Sequence, residues 1–416
     1  MFSISQNFSV PQALLAEWNG IETQEGLAVG QALVIFRDVV TYTVRDGDTL
    51  VGIARANGLS LRELYRLNPG LYGGYFDIFP GDILAVSLGE GPATSLYVNA
   101  YAYTFIEEPI LRGTLPYLST LAPFTYGFKS NGELLDLNDE ALIFASEEYG
   151  TSPIMHLSTL TESGTFSSEL AAELFRSDTA QDALIENIYT KISEKGYRAL
   201  DIDFEFISGE NAGNYANFIA KARAYLSDYS IPVLAALAPK TSADQPGTLY
   251  EGHNYALIGA AADKVFLMTY EWGYTYGPPM AVAPIGSVRR VLDYAVTEIP
   301  PEKIIMGIPN YGYDWTLPYK SGSTRARSIS NTEAVRLAVS YGAEIKFDEA
   351  SQSPYFYYSD GENEHEVWFE DPRSISAKLD LPAEYGFYGV GYWNAMRPFP
   401  ANWLILSQKY RTSQPF

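Results

Sequence analysis

The chain has no cysteine among its 416 residues. That excludes a disulfide framework, a thiolate nucleophile and any cysteine metal site. Histidine is almost as scarce: His156, His253 and His365 are scattered without ligand-like spacing and read as structural. Neither a metal nor another cofactor is expected. No apolar run approaches the roughly 20 residues that a membrane-spanning helix needs. The start, Met1-Phe-Ser-Ile-Ser, shows neither the basic nor the apolar segment of a signal peptide. Basic residues are few, 28 Lys and Arg against 50 Asp and Glu, for a net charge of −22. Such a surface repels nucleic acid and anionic lipid, so neither is an expected partner, and it favours a neutral or cationic substrate.

What the chain has in abundance is aromatic surface: 32 Tyr, 21 Phe and 6 Trp. A flat apolar face with a polar edge suits sugar rings as well as cores. The length predicts two or three domains rather than one core.

The N-terminal region repeats itself. Ile4, Val10, Leu15, Trp18 and Asn19 recur at a constant offset of 49 as Ile53, Leu59, Leu64, Leu67 and Asn68. After a two-residue insertion, Gly30-Gln-Ala-Leu-Val34 matches Gly81-Asp-Ile-Leu-Ala85. Each copy reads as helix, turn, helix, strand; Thr41-Tyr-Thr-Val44 adds an opening strand that the first copy lacks. Asn68-Pro69-Gly70 breaks the second helix. With Asp46-Gly47-Asp48-Thr49-Leu50 and Pro80-Gly81-Asp82, this register resembles the LysM module, a small βααβ unit. The resemblance implies binding of N-acetylglucosamine-containing glycans. It places an incomplete module at 1–38, a full one at 40–88 and a linker at 89–94. Asp46, Gly47, Asp48, Thr49, Leu50, Asn68 and Pro69 are the candidate glycan contacts, because loops carry binding.

Beyond the linker, short apolar strands alternate with helices. Strands are predicted near 96–103, 121–128, 153–160, 199–206, 231–238, 264–270, 304–311 and 388–393. Helices at 181–194 and 213–226 carry one apolar face each. Eight strands with crossover helices predict a (β/α)8 barrel over 95–416. The long gap before the last strand predicts an inserted α+β subdomain at about 315–375, at the barrel mouth.

The stretch Ala199-Leu-Asp-Ile-Asp-Phe-Glu-Phe206 alternates without a break. Leu200, Ile202, Phe204 and Phe206 fall on one side of a strand, Asp201, Asp203 and Glu205 on the other. A half-solvated antiparallel strand would alternate in the same way. In a barrel, however, the apolar side faces the helices, and the acids point inward at the end where such folds place their active sites. Crowded buried carboxylates drive their pKa values up and apart, as a general acid near neutral pH requires.

Asp201-Ile-Asp203-Phe-Glu205 resembles the signature of glycoside hydrolase family 18 on the fourth strand of its barrel. Met268-Thr-Tyr270-Glu271, Met306-Gly-Ile-Pro-Asn-Tyr311-Gly and Gly389-Val-Gly-Tyr-Trp393 resemble its later motifs, in the family's order. The resemblance implies substrate-assisted, retaining hydrolysis of β-1,4 bonds in N-acetylglucosamine-containing glycans. Glu205 would protonate the leaving oxygen, Asp203 would stabilise the cation formed by the sugar's own acetamide, and Asp201 would tune Asp203. Tyr270 would hold the acetamide oxygen, and Trp393 would form the floor. Tyr101, Met268, Glu271, Trp272 and Tyr311 complete the candidate substrate contacts, and Tyr274 and Trp315 are further stacking candidates. Three positions depart from the pattern: Arg198 stands where the signature has its first Asp, Ala199 where a Gly is usual, and Glu271 where an Asp is usual. The run Glu271-Trp-Gly-Tyr-Thr-Tyr-Gly-Pro-Pro279 is similar to a LysM-bearing subgroup of the family, the spore cortical-fragment-lytic enzymes. That implies an N-acetylglucosaminidase of spore peptidoglycan, associated with spore or cell wall. A chitinase, a non-catalytic glycan-binding protein and an epimerase of muropeptides stay open as alternatives.

Overall fold

A computed structural model of the chain describes residues 1–22 and 26–416. Helices α1 (Phe2–Phe8) and α2 (Gln12–Trp18) form the first repeat. The second runs β1 (Val40–Thr43), α3 (Leu50–Ala56), α4 (Leu61–Leu67) and β2 (Ile83–Ser87), with β1 and β2 antiparallel. Thr49 caps α3 and Ser60 forms a capping box with Glu63 on α4. The expected closing strand of the first repeat is absent: the described residues 26–36 form none. With no opening strand there is no ladder to join, and Val34 packs into the barrel's core instead. One clamp survives in both copies. Asn68 Nδ2 donates to Leu64 O and Ala85 O while its Oδ1 accepts from Ala85 N. Asn19 makes the same three bonds to Leu15 O, Val34 O and Val34 N.

The barrel strands follow: β3 (Ser95–Tyr103), β4 (Thr120–Phe124), β5 (Ser152–Pro153), β6 (Met155–Ser158), β7 (Leu200–Asp203), β8 (Val233–Leu237), β9 (Lys264–Leu267) and β10 (Ile304–Pro309). Then comes an antiparallel sheet of β11 (Gly312–Leu317), β12 (Arg327–Ile329), β13 (Lys346–Asp348), β14 (Ser353–Ser359) and β15 (Glu364–Trp368), with a helix at Asn331–Ser340. The barrel is completed by β16 (Gly389–Trp393), and a short β17 (Arg411–Thr412) pairs with β3. The parallel order is β5-β4-β3-β16-β10-β9-β8-β7-β6. β5 and β6 flank Ile154 as two halves of one strand, and a parallel bridge from Tyr126 to Leu157 closes the ring. Each of the eight predicted strands is present, mostly shorter than drawn. Residues 233–237, Val-Leu-Ala-Ala-Leu, are buried throughout, as a parallel strand covered on both faces must be. The helix Asp178–Lys195 is capped by Ser177 and ended by Gly196 in the left-handed region. It buries Leu184, Ile185, Ile188 and Ile192, and the helix Ala212–Ser227 buries Tyr215, Phe218, Ile219 and Ala222.

The N-terminal repeats do not hang from the segment at 89–94. Arg62 donates to Pro116 O (2.8 Å), Leu118 O (2.5 Å) and Gly150 O (3.2 Å), and Arg66 Nε to Pro116 O (2.6 Å). Trp18 Nε1 donates to Leu67 O, tying the repeats together, and Leu404 joins the apolar cluster of Val10, Leu14, Leu15 and Trp18.

Candidate active site

Strand β7 sits between β6 and β8, with Asp201 level with His156 and Asp203 with Ser158. Leu200, Ile202 and Phe204 are fully buried on the helix side. Asp201 is equally buried; its Oδ2 accepts from Tyr101 Oη at 2.8 Å and its Oδ1 has no partner. Burial pushes its pKa up to about 6, against the pull of that hydrogen bond. Asp203 Oδ1 is also buried and unpartnered, and Oδ2 lies 3.4 Å from His156 Nε2. Burial raises Asp203 too. Glu205 is raised by burial first, then by the negative charges of Asp203 and Glu271. Burial holds His156 down at about 4, so at neutral pH its ring is uncharged and neutralises none of these acids. The result is a cluster in which Glu205 keeps its proton at neutral pH while the aspartates offer bare oxygens to a ligand.

The alternation fails at one residue. β7 ends at Asp203, and Phe206 adopts φ 57° and is 48% exposed, rather than covering the helix side. The chain turns away immediately after Glu205. What precedes the turn is clamped: Phe204 N donates to Tyr215 Oη (3.3 Å), and His253 Nε2 contacts Phe204 O (3.0 Å). Because His253 Nδ1 accepts from Ala238 N, its Nε2 carries the hydrogen and donates. The Phe204 ring stacks on Phe128, Tyr215 and Phe218. Glu205 therefore projects from a fixed backbone.

A cleft of about 530 Å³ opens over this cluster. Asp203, Glu205, Tyr101, Met268, Tyr270, Glu271, Trp272 and Trp393 all line it. Asp201 lies beneath, reached through Tyr101. Tyr311 lines an adjoining cavity of about 240 Å³ that shares Tyr103, Glu271 and Trp393 with the cleft. Glu271 has φ 68°, and its carboxylate accepts from Tyr311 Oη and, at 3.0 Å, from Tyr313 Oη. Trp393 packs edge-on against Phe124, ring centroids 4.9 Å apart.

Several expectations are corrected. Trp315 is fully buried and its Nε1 donates to Gly277 O, so it offers no stacking face; Tyr274 remains exposed. Arg198 is exposed, and its N–H donates to Pro153 O just before β7 begins. In the second repeat, Asn68 is fully buried with its amide occupied, and Pro69 is buried; neither presents surface to a glycan. Asp48 accepts from Tyr42 Oη and Arg45 N, Thr49 is occupied as a cap, Leu50 packs against the module's own core and Gly47 holds a left-handed turn, which leaves the exposed Asp46. Sequence reasoning missed Tyr103, Phe124, Phe166 and Arg290, all in the cleft wall. Tyr103 could have been found from its alternation with Tyr101; Arg290 carries no local signal.

Comparison with known proteins follows the same lines. The family model described as glycosyl hydrolases family 18 matches residues 156–397, and the LysM domain model matches 1–36 and 42–87. The cortical fragment-lytic enzyme of Bacillus subtilis (strain 168) is 42% identical over 300 residues, 72% of this chain and 69% of that protein. A putative sporulation-specific glycosylase, YdhD, of the same organism is 34% identical over 97% of this chain and 95% of its own. The crystal structure of the Bacillus cereus spore cortex-lytic enzyme SleL superposes with a TM-score of 0.83 at 33% identity, covering 99% of this chain and 96% of that one.

Proposed function

The chain belongs to glycosyl hydrolase family 18, and on that footing we propose that it is a retaining β-N-acetylglucosaminidase of peptidoglycan, that of the spore cortex above all, acting by substrate assistance. The observation that carries the reading is the pair Asp203 and Glu205, both raised by burial, side by side in the wall of one cleft with Tyr270 and Trp393.

Glu205, protonated in the free enzyme, gives its proton to the glycosidic oxygen as that bond breaks. The oxygen of the sugar's own 2-acetamido group attacks the anomeric carbon and forms a cyclic oxazolinium ion. Asp203, as carboxylate, accepts from the acetamide N–H and balances the new positive charge. Asp201 and Asp203 lie on one face of β7, two residues apart. Proton uptake by Asp201 answers charge on Asp203, since like charges so close do not both ionise readily. Glu205, now a carboxylate, takes a proton from the incoming water, which opens the ring with net retention. Trp393 supplies a flat apolar floor.

Peptidoglycan is favoured over chitin by the likeness to spore cortex-lytic enzymes, and a spore or cell-wall setting follows from the same reading. Chitooligosaccharide hydrolysis is the second reading, because all the chemistry at the cut bond is shared. The test is mass spectrometry of borohydride-reduced products from purified cortex fragments. The expected products have gained water and end in reduced N-acetylglucosamine. Products ending in reduced muramic acid, or products of unchanged mass, overturn the proposal. Glu205→Gln is expected to lower kcat by roughly 10²–10⁴-fold, the worth of a general acid.

A further inference from the structure

The scatter of histidine along the chain marks His156 as structural, yet the fold sets it against the acids. It stands on β6, level with Asp201 on β7, and has no exposed surface. The Tyr101 ring meets it edge-on at 5.4 Å, and the Phe124 ring lies 4.7 Å away. Both ring nitrogens face polar atoms. Nδ1 is 2.7 Å from Thr125 Oγ1; Nε2, buried with no closed hydrogen bond, is 3.4 Å from Asp203 Oδ2. A neutral imidazole has one N–H and one lone pair to divide between its two nitrogens. A lone pair aimed at a carboxylate is repelled, so the hydrogen belongs on Nε2. Thr125 then donates to Nδ1, the shortest of its contacts; Ser158 Oγ, Tyr126 O and His156 O lie at 3.0, 3.1 and 3.4 Å.

Asp203 needs such a donor. Asp201 is held by Tyr101 Oη, but no hydroxyl or amide among the described residues donates to Asp203, and its Oδ1 is bare. A buried carboxylate without donors is costly, and the reaction requires Asp203 to be one. Of its other ionisable neighbours, Asp201 and Glu205 are acids, and Tyr101, Tyr215 and Tyr270, held protonated by burial, do not hydrogen-bond it. The uncharged ring supplies a donor without a cation. A lysine or arginine in its place would also draw the proton off Glu205. At 3.4 Å the contact stands open, as catalytic contacts of a free enzyme commonly do before substrate closes them.

We infer that His156 is a positioning residue of the reaction: its Nε2–H, fixed by Thr125, aims Asp203 and supports it as a carboxylate while the acetamide-derived cation forms. This rests on the role of Asp203 in substrate assistance. The test is the pH profile of kcat on soluble cortex fragments. In His156→Leu, kcat should fall about 10–100-fold, the worth of a hydrogen bond to a charged group, with KM little changed. The acid limb of kcat should move to higher pH, because a carboxylate without its donor holds its proton more tightly. His156→Gln places an amide N–H near the position of Nε2 and should return the limb and part of kcat. A side chain that merely fills space gives the reverse order, Leu tolerated better than Gln with the limb unmoved, and that result overturns the inference. Should both variants misfold, nitrogen-15 NMR of the unaltered enzyme, labelled at its three histidines, reads the tautomers at pH 8.5. Both buried rings, His156 and His253, should carry the hydrogen on Nε2; a buried ring with its hydrogen on Nδ1 overturns the inference. Full turnover of the same fragments by Asp203→Asn would instead sink substrate assistance itself, and the inference with it.

Discussion

Asp201 has no exposed surface, and the hydroxyl that reaches it belongs to Tyr101, on the first barrel strand. A carboxyl held this way binds its proton more tightly folded than unfolded. Its contribution to stability is therefore fully present below the unfolded pKa and is lost as pH rises through about 6. Asp201→Asn keeps an acceptor for Tyr101 and has no charge to bury. It should be more stable than the natural protein at pH 7.5, by about 3 kcal/mol on the pKa difference, and the gain should vanish by pH 4. Urea unfolding at the two pH values measures it. The same variant should lose most of its turnover, because the site keeps an unfavourable charge for a chemical purpose.

At the level of elements, alternation in the sequence revealed which side of β7 faces inward, because a period of two is fixed by strand geometry. It could not reveal where the strand stops. Phe206 continues the pattern in sequence but lies beyond the last paired residue, in a turn that only the clamp from His253 and Tyr215 explains. Trp315 was misplaced for a similar reason: an aromatic at a strand near the barrel mouth fills space as readily as it binds sugar. The repeat was legible because Asn19 and Asn68 do the same mechanical work in both copies. The missing strand of the first copy was legible only as an absence. Asn68→Ala leaves Leu64 O, Ala85 O and Ala85 N without their partner, at a cost of about 2–4 kcal/mol for buried groups. Asn19→Ala should cost less, since Asn19 is only half-buried. Thermal unfolding of the two variants side by side checks the order.

For the molecule as a whole, the docked repeats change the meaning of the segment at 89–94. Pro116, Leu118 and Gly150, which receive Arg62, lie just before β4 and β5, at the end of the barrel opposite the acids. The modules are thus fixed to the base and do not swing on a tether. Calorimetry should show a single unfolding transition. The double substitution Arg62→Ala, Arg66→Ala removes four bonds donated to barrel carbonyls and one to Thr151 Oγ1, and should split it, the repeats melting first. A single transition in that variant would mean that the apolar contacts around Leu404 suffice. None of this was readable from sequence, because both arginines donate to backbone carbonyls, and any residue supplies those.

The account turns on burial and crowding keeping the proton on Glu205. The pH dependence of kcat/KM for the free enzyme reports this directly. The alkaline limb should lie more than about one pH unit above the ~4.3 of an ordinary glutamate. It should move to lower pH in Glu271→Gln, where a neighbouring negative charge is gone. A limb in the ordinary carboxylate range, or one that stays put or rises in Glu271→Gln, would contradict it.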